Sequence, residues 1–352
     1  MQIQDVYFNF TSSLKSDVTR QRYEYCLSKF LKHCDLDLIH LLSLEQQELS
    51  NLIIRYLSSL KASNQYKNQI LAALKHACTM NDVILNWKKI GKFITFEKTG
   101  NELNADRGYS HEEIQQILKN ADLRLKTAFI VLASTGIRIG ALSSIKLSDL
   151  EQIDNLYKVT VYAGDREEYI TFTTPECKKV IDDYLDYRKK KGETITQDSY
   201  LIVRKFCQRT EVKGLPFRGM SLWAMFEKSI SMSSLDVRQD RSNKFKRKKV
   251  AMTHGFRKFF TKQLVDSKLN PEIREMLLGH KIGLASAYYK PTEQEMLNEY
   301  MKAVNLLTIN EENRLKQKVE TLEIEKSQLA TLKEDFEKLR KQVMKGKEIV
   351  IS

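Results

Sequence analysis

Apolar residues in this chain recur at helical spacing in one segment after another, and a single stretch alternates as strands do. Tyr23, Leu27, Phe30 and Leu31 fall on one helical face, and Tyr66, Ile70, Ala73, Leu74 and Ala77 fall on another. Ser43 with Gln46 gives a capping-box pattern ahead of Ile53, Ile54 and Leu57. Residues 1–98 therefore read as a small helical domain. The stretch 99–109 loses the period and carries Gly100 and Gly108, which places an interdomain linker there.

A second domain is expected over 110–308. Ser110 with Glu113 forms a capping box, and the apolar segment Leu125 to Ser134 must be a core helix that stops at Gly136. Tyr157 to Phe172 alternates like two strands around a turn at Ala163-Gly-Asp-Arg166. Thr174-Pro175, Asn270-Pro271 and Thr292 with Glu295 mark three later helix starts. The expected fold is mainly α: a helical N-terminal domain, then a mixed α/β domain that is mostly helical with a small antiparallel sheet. In the tail, 309–352, Leu315, Leu322, Leu329, Phe336 and Val343 recur every seventh residue, helped by Leu332 and Leu339. That is a coiled-coil seam, broken where Lys318 and Glu325 hold the companion positions. Such a seam can pair with a second copy, fold back on its own domain or take another partner.

Lysine and arginine number 58 against 45 acidic residues, a net charge of +13, which draws polyanions and makes nucleic acid the leading partner class. A merely basic surface is the plainer alternative. The charge concentrates between Arg238 and Lys249, where Arg238, Arg241, Lys244, Lys246, Arg247, Lys248 and Lys249 face Asp240 alone. The last five are candidate DNA contacts. Cys26, Cys34, Cys78, Cys177 and Cys207 are scattered without a C-x-x-C pair, so neither a zinc site nor a disulfide framework is expected. With no apolar run of the ~18 residues that a membrane span requires and no signal pattern, the expectation is a cytoplasmic protein bound to DNA, with no membrane partner.

Three short segments carry chemistry when taken together: Thr135-Gly-Ile-Arg-Ile-Gly-Ala141, Thr253-His-Gly-Phe-Arg257, and Leu278-Gly-His280 followed by Tyr288 and Tyr289. Alone, each arginine reads as a surface or capping residue and the tyrosine pair as packing. In order and spacing they resemble the signature of the tyrosine site-specific recombinases, the phage and archaeal-type integrases. That pattern holds an arginine, a distant HxxR, a GH dipeptide and a tyrosine nine residues after its histidine. Counting nine from His280 selects Tyr289 over Tyr288. The resemblance spans about residues 110–308 by motif, and the layout of a helical DNA-gripping domain before a catalytic one is similar to the family's as well.

What the resemblance implies is strand cleavage and rejoining of double-stranded DNA through a 3′-phosphotyrosyl link at Tyr289, by four protomers around two duplexes. It implies that His254 helps to move the tyrosine's proton and that His280 hydrogen-bonds the scissile phosphate. The chemistry independently asks for fixed cations, because attack on a phosphodiester builds charge on its non-bridging oxygens. Arginine's planar fork suits paired phosphate oxygens, so Arg138 and Arg257 are the clamp. The bond energy kept in the covalent link makes ATP and metal cofactors unnecessary.

Two positions depart from the family pattern. Ala141 stands where an acidic residue usually orients the site, and Ala163 where a hairpin lysine usually protonates the leaving 5′-oxygen. Lys158 and Arg166 are the nearby candidates for that general acid, although arginine gives up a proton poorly. Strand nicking of the type IB topoisomerase kind and a decayed, non-catalytic DNA-binding relative are the rival readings. The DNA target, the direction of recombination and the partner of the tail are not legible in the sequence.

Overall fold

The computed structural model describes residues 3–93, 107–204, 214–217, 219–233, 235, 250–281 and 289–350. It divides into two compact units, Met1–Glu102 and Leu103–Ser352.

The first unit is helical: α1 (Ile3–Ser12), α2 (Asp17–Cys34), α3 (Leu38–Ser43), α4 (Gln46–Ser59), α5 (Asn64–Met80) and α6 (Trp87–Phe93). Leu27 and Phe30 from α2, Ile53 and Leu57 from α4, and Ile70, Ala73, Leu74 and Ala77 from α5 meet in its core with Val6 and Phe10. Ser16 and Ser63 cap α2 and α5 by accepting from backbone N–H groups of the first turn. The capping box expected at Ser43 is not formed. Ser43 closes α3 instead, its hydroxyl donating back to the His40 carbonyl, and α4 starts at Gln46 without a side-chain cap.

The second unit is built around α8 (Leu123–Thr135), buried on nearly all sides, which is why its sequence is apolar throughout rather than striped. Before it lies α7 (His111–Lys119), whose Ser110/Glu113 capping box is formed. Asp122 caps α8 at its start, and Gly136, at φ 64°, ends it in the left-handed region. A short turn α9 (Ile139–Leu142) leads to an antiparallel sheet of β1 (Leu150–Ile153), β2 (Leu156–Val161) and β3 (Tyr169–Phe172), in that order. The sheet pairs Leu150 with Val159 and Val161 with Tyr169. The two expected strands are β2 and β3, and β1 is an addition. Its four residues are too few to show alternation against the polar Glu151 and Gln152.

Then come α10 (Pro175–Lys190), capped by Thr174, α11 (Gly219–Met232), α12 (His254–Asp266), α13 (Pro271–Leu277), capped by Asn270, and α14 (Glu293–Leu307), opened by the expected Thr292/Glu295 capping box. Phe129 of α8, Phe226 of α11 and Phe256 of α12 stack in the core. Finally α15 (Glu311–Val350) runs for 40 residues. Glu176 accepts from the backbone N–H groups of Ile309 and Asn310 at 2.7 and 2.9 Å, tying the start of α15 to α10. Beyond that junction Leu315, Leu322, Leu329, Leu332 and Phe336 are exposed. Among the described residues no helix is long and apolar enough to cross a membrane.

Candidate active site

The end of α8 is the corner on which the site is built. A side chain at Gly136 would collide with the Phe260 ring, since an added Cβ would lie 2.2 Å from it, so only glycine lets α12 approach so closely. Arg257 sits one turn before Phe260 on the same helix. It thereby reaches the Gly136 carbonyl, to which its Nη1 donates at 2.8 Å. Arg138 follows Gly136 by two residues and flanks the first turn of α9, with its side chain exposed. The two arginines are near enough for Arg138 to disfavour the charge on Arg257.

Arg257 is 5% exposed. Its Nη2 donates to the Leu278 carbonyl and to His280 Nε2, the latter at 2.9 Å. A guanidinium has no lone pair to offer, so His280 Nε2 must be the acceptor there, and its proton is on Nδ1. That nitrogen faces Glu275 Oε2 at 2.6 Å. The turn after α13 makes the arrangement possible: Gly279, at φ 67°, reverses the chain and the His280 N–H bonds back to the Glu275 carbonyl. Burial pulls the Arg257 pKa down, with Arg138 adding to the effect and the neighbouring Tyr169 opposing it. Among the described residues no carboxylate pairs with Arg257 or Arg138. A buried cation answered by carbonyls, an imidazole and the neighbouring Tyr169, with no carboxylate among the described residues, can take an anion.

Of the other candidates, His254 begins α12 and is exposed. Tyr289 is 37% exposed, and among the described residues it makes no hydrogen bond or ring contact. The structure therefore brings Arg138, Arg257 and His280 together, with His254 on the helix that carries Arg257, and does not join Tyr289 to them. Tyr288 lies outside the described residues, as do Lys244, Lys246, Arg247, Lys248 and Lys249. Lys158 is held between Glu151 and Glu293, the latter at 2.8 Å, and the two carboxylates raise its pKa, Glu151 first. Arg166 is exposed in the loop between β2 and β3. Ala141 is fully buried, so no acidic side chain acts from that position.

Two residues of the site escaped the sequence reading. Glu275 stands five positions before His280, a spacing that meets only because of the turn at Gly279. Tyr169 comes from β3, where Thr171, on the same strand face, donates to the Thr135 carbonyl at the end of α8. The Tyr169 ring lies so close to Gly279 that a Cβ there would be 2.4 Å from it. No local pattern marks either residue.

The phage integrase family model matches residues 109–295, the span that holds every element of this site up to Glu295. No curated protein matches the sequence. Solved structures of similar fold include the Tn1549 transposon integrase in complex with transposon right-end DNA, at 15% identity and a TM-score of 0.54, covering 85% of this chain and 98% of that one. A lambda integrase dimer bound to a COC′ core site matches at 15% identity and 0.52, over 83% of this chain and 99% of that one. A lambda integrase tetramer bound to a Holliday junction matches at 16% identity and 0.51, over 82% and 78%. At these identities the likeness is one of fold, and the family match carries the assignment: the chain belongs to the phage integrase family, that of the tyrosine recombinases.

Proposed function

We propose that this protein is a site-specific recombinase that cuts and rejoins double-stranded DNA through a 3′-phosphotyrosyl link at Tyr289. The observation that carries the reading is the buried charge of Arg257, which has no carboxylate partner among the described residues and stands beside Arg138. A phosphodiester is the anion this pair fits, because the two guanidinium groups can share its non-bridging oxygens and answer the charge that develops on them in the transition state. His280 adds a hydrogen bond to the phosphate when its Nε2, released as Arg257 turns to the anion, takes up a proton from solvent, the Nδ1 proton staying in its bond to Glu275. His254 helps to move the Tyr289 proton. Tyr289 forms its bond to phosphorus as the bond to the 5′-oxygen breaks, and the reverse attack reseals the strand without ATP or a metal ion.

The basic run Lys244, Lys246, Arg247, Lys248 and Lys249 adds phosphate contacts, and affinity should accordingly fall steeply with salt. Four protomers on two duplexes is the assembly that strand exchange requires, and the exposed seam of α15 is suited to helping it by pairing with a second copy, since pairing removes its leucines from water.

The test is covalent trapping. Nicked duplexes from a random-sequence pool are incubated with the protein in EDTA, and adducts that survive denaturation are recovered. The wild type is expected to yield a DNA adduct, Tyr289→Phe none, with DNA binding kept because the change removes one oxygen and no charge. Sedimentation of the complex on the selected DNA reads the assembly. Absence of any adduct from the wild type, or an adduct from Tyr289→Phe, overturns the reading.

A further inference from the structure

The family pattern's hairpin lysine is missing here, and both substitutes nearest in sequence are poorly suited to giving a proton to the leaving oxygen. Lys158 is already bound by Glu151 and Glu293. Arg166 would have to lose a proton from a group that stays charged at any working pH. One hydroxyl of the site keeps its proton uncommitted among the described residues. The Tyr169 Oη is buried, and its own proton meets no acceptor among the described residues, the group that interacts with it most strongly there being the Arg257 guanidinium, which can only donate. Tyr169 and Arg257 perturb each other, and Arg138 acts on Tyr169 as well. Its ring is wedged against Gly279, directly before His280. A buried phenolic O–H without an acceptor carries a cost unless an acceptor arrives with the substrate.

We propose that Tyr169 is the general acid of the strand-cleavage step, donating its phenolic proton to the departing 5′-oxygen of the DNA. The assignment rests on the recombinase reading above. As the Tyr289 oxygen bonds to phosphorus, the phosphorus–O5′ bond breaks, and the Tyr169 proton passes to O5′ to give a 5′-hydroxyl. The resulting Tyr169 phenolate lies beside Arg257 and Arg138, whose positive charges stabilise it. On resealing, the 5′-hydroxyl returns that proton to Tyr169 as its oxygen attacks the phosphotyrosyl link.

The acid strength fits the task, since a phenol with an ordinary pKa of about 10 is close to the ~10.4 of a lysine ammonium. Burial raises the Tyr169 pKa further, against the pull of Arg257 and Arg138, so the proton is in place at neutral pH before DNA binds. Position also favours Tyr169 over the lysine that would sit in the loop. It is anchored by its strand pairing to Val161 rather than carried on the exposed segment between β2 and β3.

The experiment compares two substrates of the sequence selected by trapping: the ordinary phosphodiester, and the same duplex with sulfur replacing the 5′-bridging oxygen at the scissile position. A thiolate leaves without being protonated, so loss of the general acid does not slow its release. Tyr169→Phe keeps the ring against Gly279 and removes one hydroxyl whose proton has no acceptor among the described residues, and its melting temperature should change little. It is expected to cleave the ordinary substrate on the order of 100-fold more slowly than the wild type, the usual contribution of a positioned proton donor. On the sulfur substrate it is expected to match the wild type.

An equal loss on both substrates, or no loss on either, overturns the assignment, and so does sulfur rescue of Lys158→Ala with none for Tyr169→Phe. A wild type that forms no adduct with either substrate removes the recombinase reading itself, a result separate from any of these.

Discussion

Arg188 and Arg257 are both buried arginines in the second unit, at 1% and 5% exposure, and they differ in what answers their charge. Arg188, in the last turn of α10, meets Glu193 through two nitrogens, with Nε to Oε2 at 2.8 Å, and its Nη1 donates to the carbonyls of Tyr200 and Leu201 at 2.8 and 3.0 Å. Glu193 accepts in turn from the Gly214 N–H at 3.0 Å. Every charge in that pocket is matched, and the pair pins the chain after α10 to the helix. Arg257 has carbonyls, an imidazole and the Tyr169 ring around it and a second arginine nearby. The first arrangement is a finished structural device. The second has no carboxylate among the described residues, and on the function proposed above an anion completes it.

That difference is broken most severely by removing Arg188. Arg188→Met keeps the aliphatic bulk but leaves the Glu193 carboxylate buried and unpaired, which should destabilise the second unit by about 3–5 kcal/mol. Thermal or denaturant melting measures it, and cleavage per folded molecule should stay at the wild-type level. A loss of cleavage with unchanged stability would mean that Arg188 also serves the site and that the contrast is misdrawn.

Arg257→Met should give the opposite signature. Two carbonyls lose a donor, at ~1–2 kcal/mol, while a charge that burial disfavours is no longer present, so the melting shift should be clearly smaller than for Arg188→Met. Cleavage of the selected DNA should fall about 100- to 1,000-fold, because the developing phosphate charge goes unanswered. Near-normal cleavage would take Arg257 out of the clamp.

The sequence showed one of these arginines and hid the other. Arg257 was legible through its HxxR spacing and through the glycine–histidine pair that follows, and Gly136 was legible as a helix stop. The helical frame was equally plain, because caps such as Ser110 with Glu113 and Thr292 with Glu295 are local events between neighbours. Arg188 sits among Lys189, Lys190 and Lys191, and that run reads as a solvated helix end. Only the fold shows that one of the four turns inward to Glu193. Tyr169 and Glu275 were hidden for a similar reason. Strand pairing and a reversal at Gly279 bring them to Arg257, and neither leaves a periodic trace. Ser43 misled because its hydroxyl had a competing acceptor within its own helix.

The smallest effect probes Glu275, a carboxylate connected to Arg257 by hydrogen bonds through His280. The His280 hydrogen bond holds the Glu275 carboxyl below its usual range, Arg274 contributes, and partial burial works against both. A carboxylate whose pKa is depressed by folding adds stability above its ordinary value, near ~4.3, and loses that contribution as the pH falls through the depressed one. Glu275→Gln should therefore melt slightly below the wild type at neutral pH, with the two curves converging under acid below about pH 4. The Glu275 side chain is 34% exposed, so solvent screening should keep the neutral-pH difference within ~1 kcal/mol. Melting temperatures measured from neutral to acid pH for both proteins read this directly. If Glu275→Gln costs as much at neutral pH as Arg188→Met, then Glu275 is a full counter-ion acting through the imidazole. Arg257 would then be charge-matched like Arg188, and its readiness for a phosphate would need another explanation.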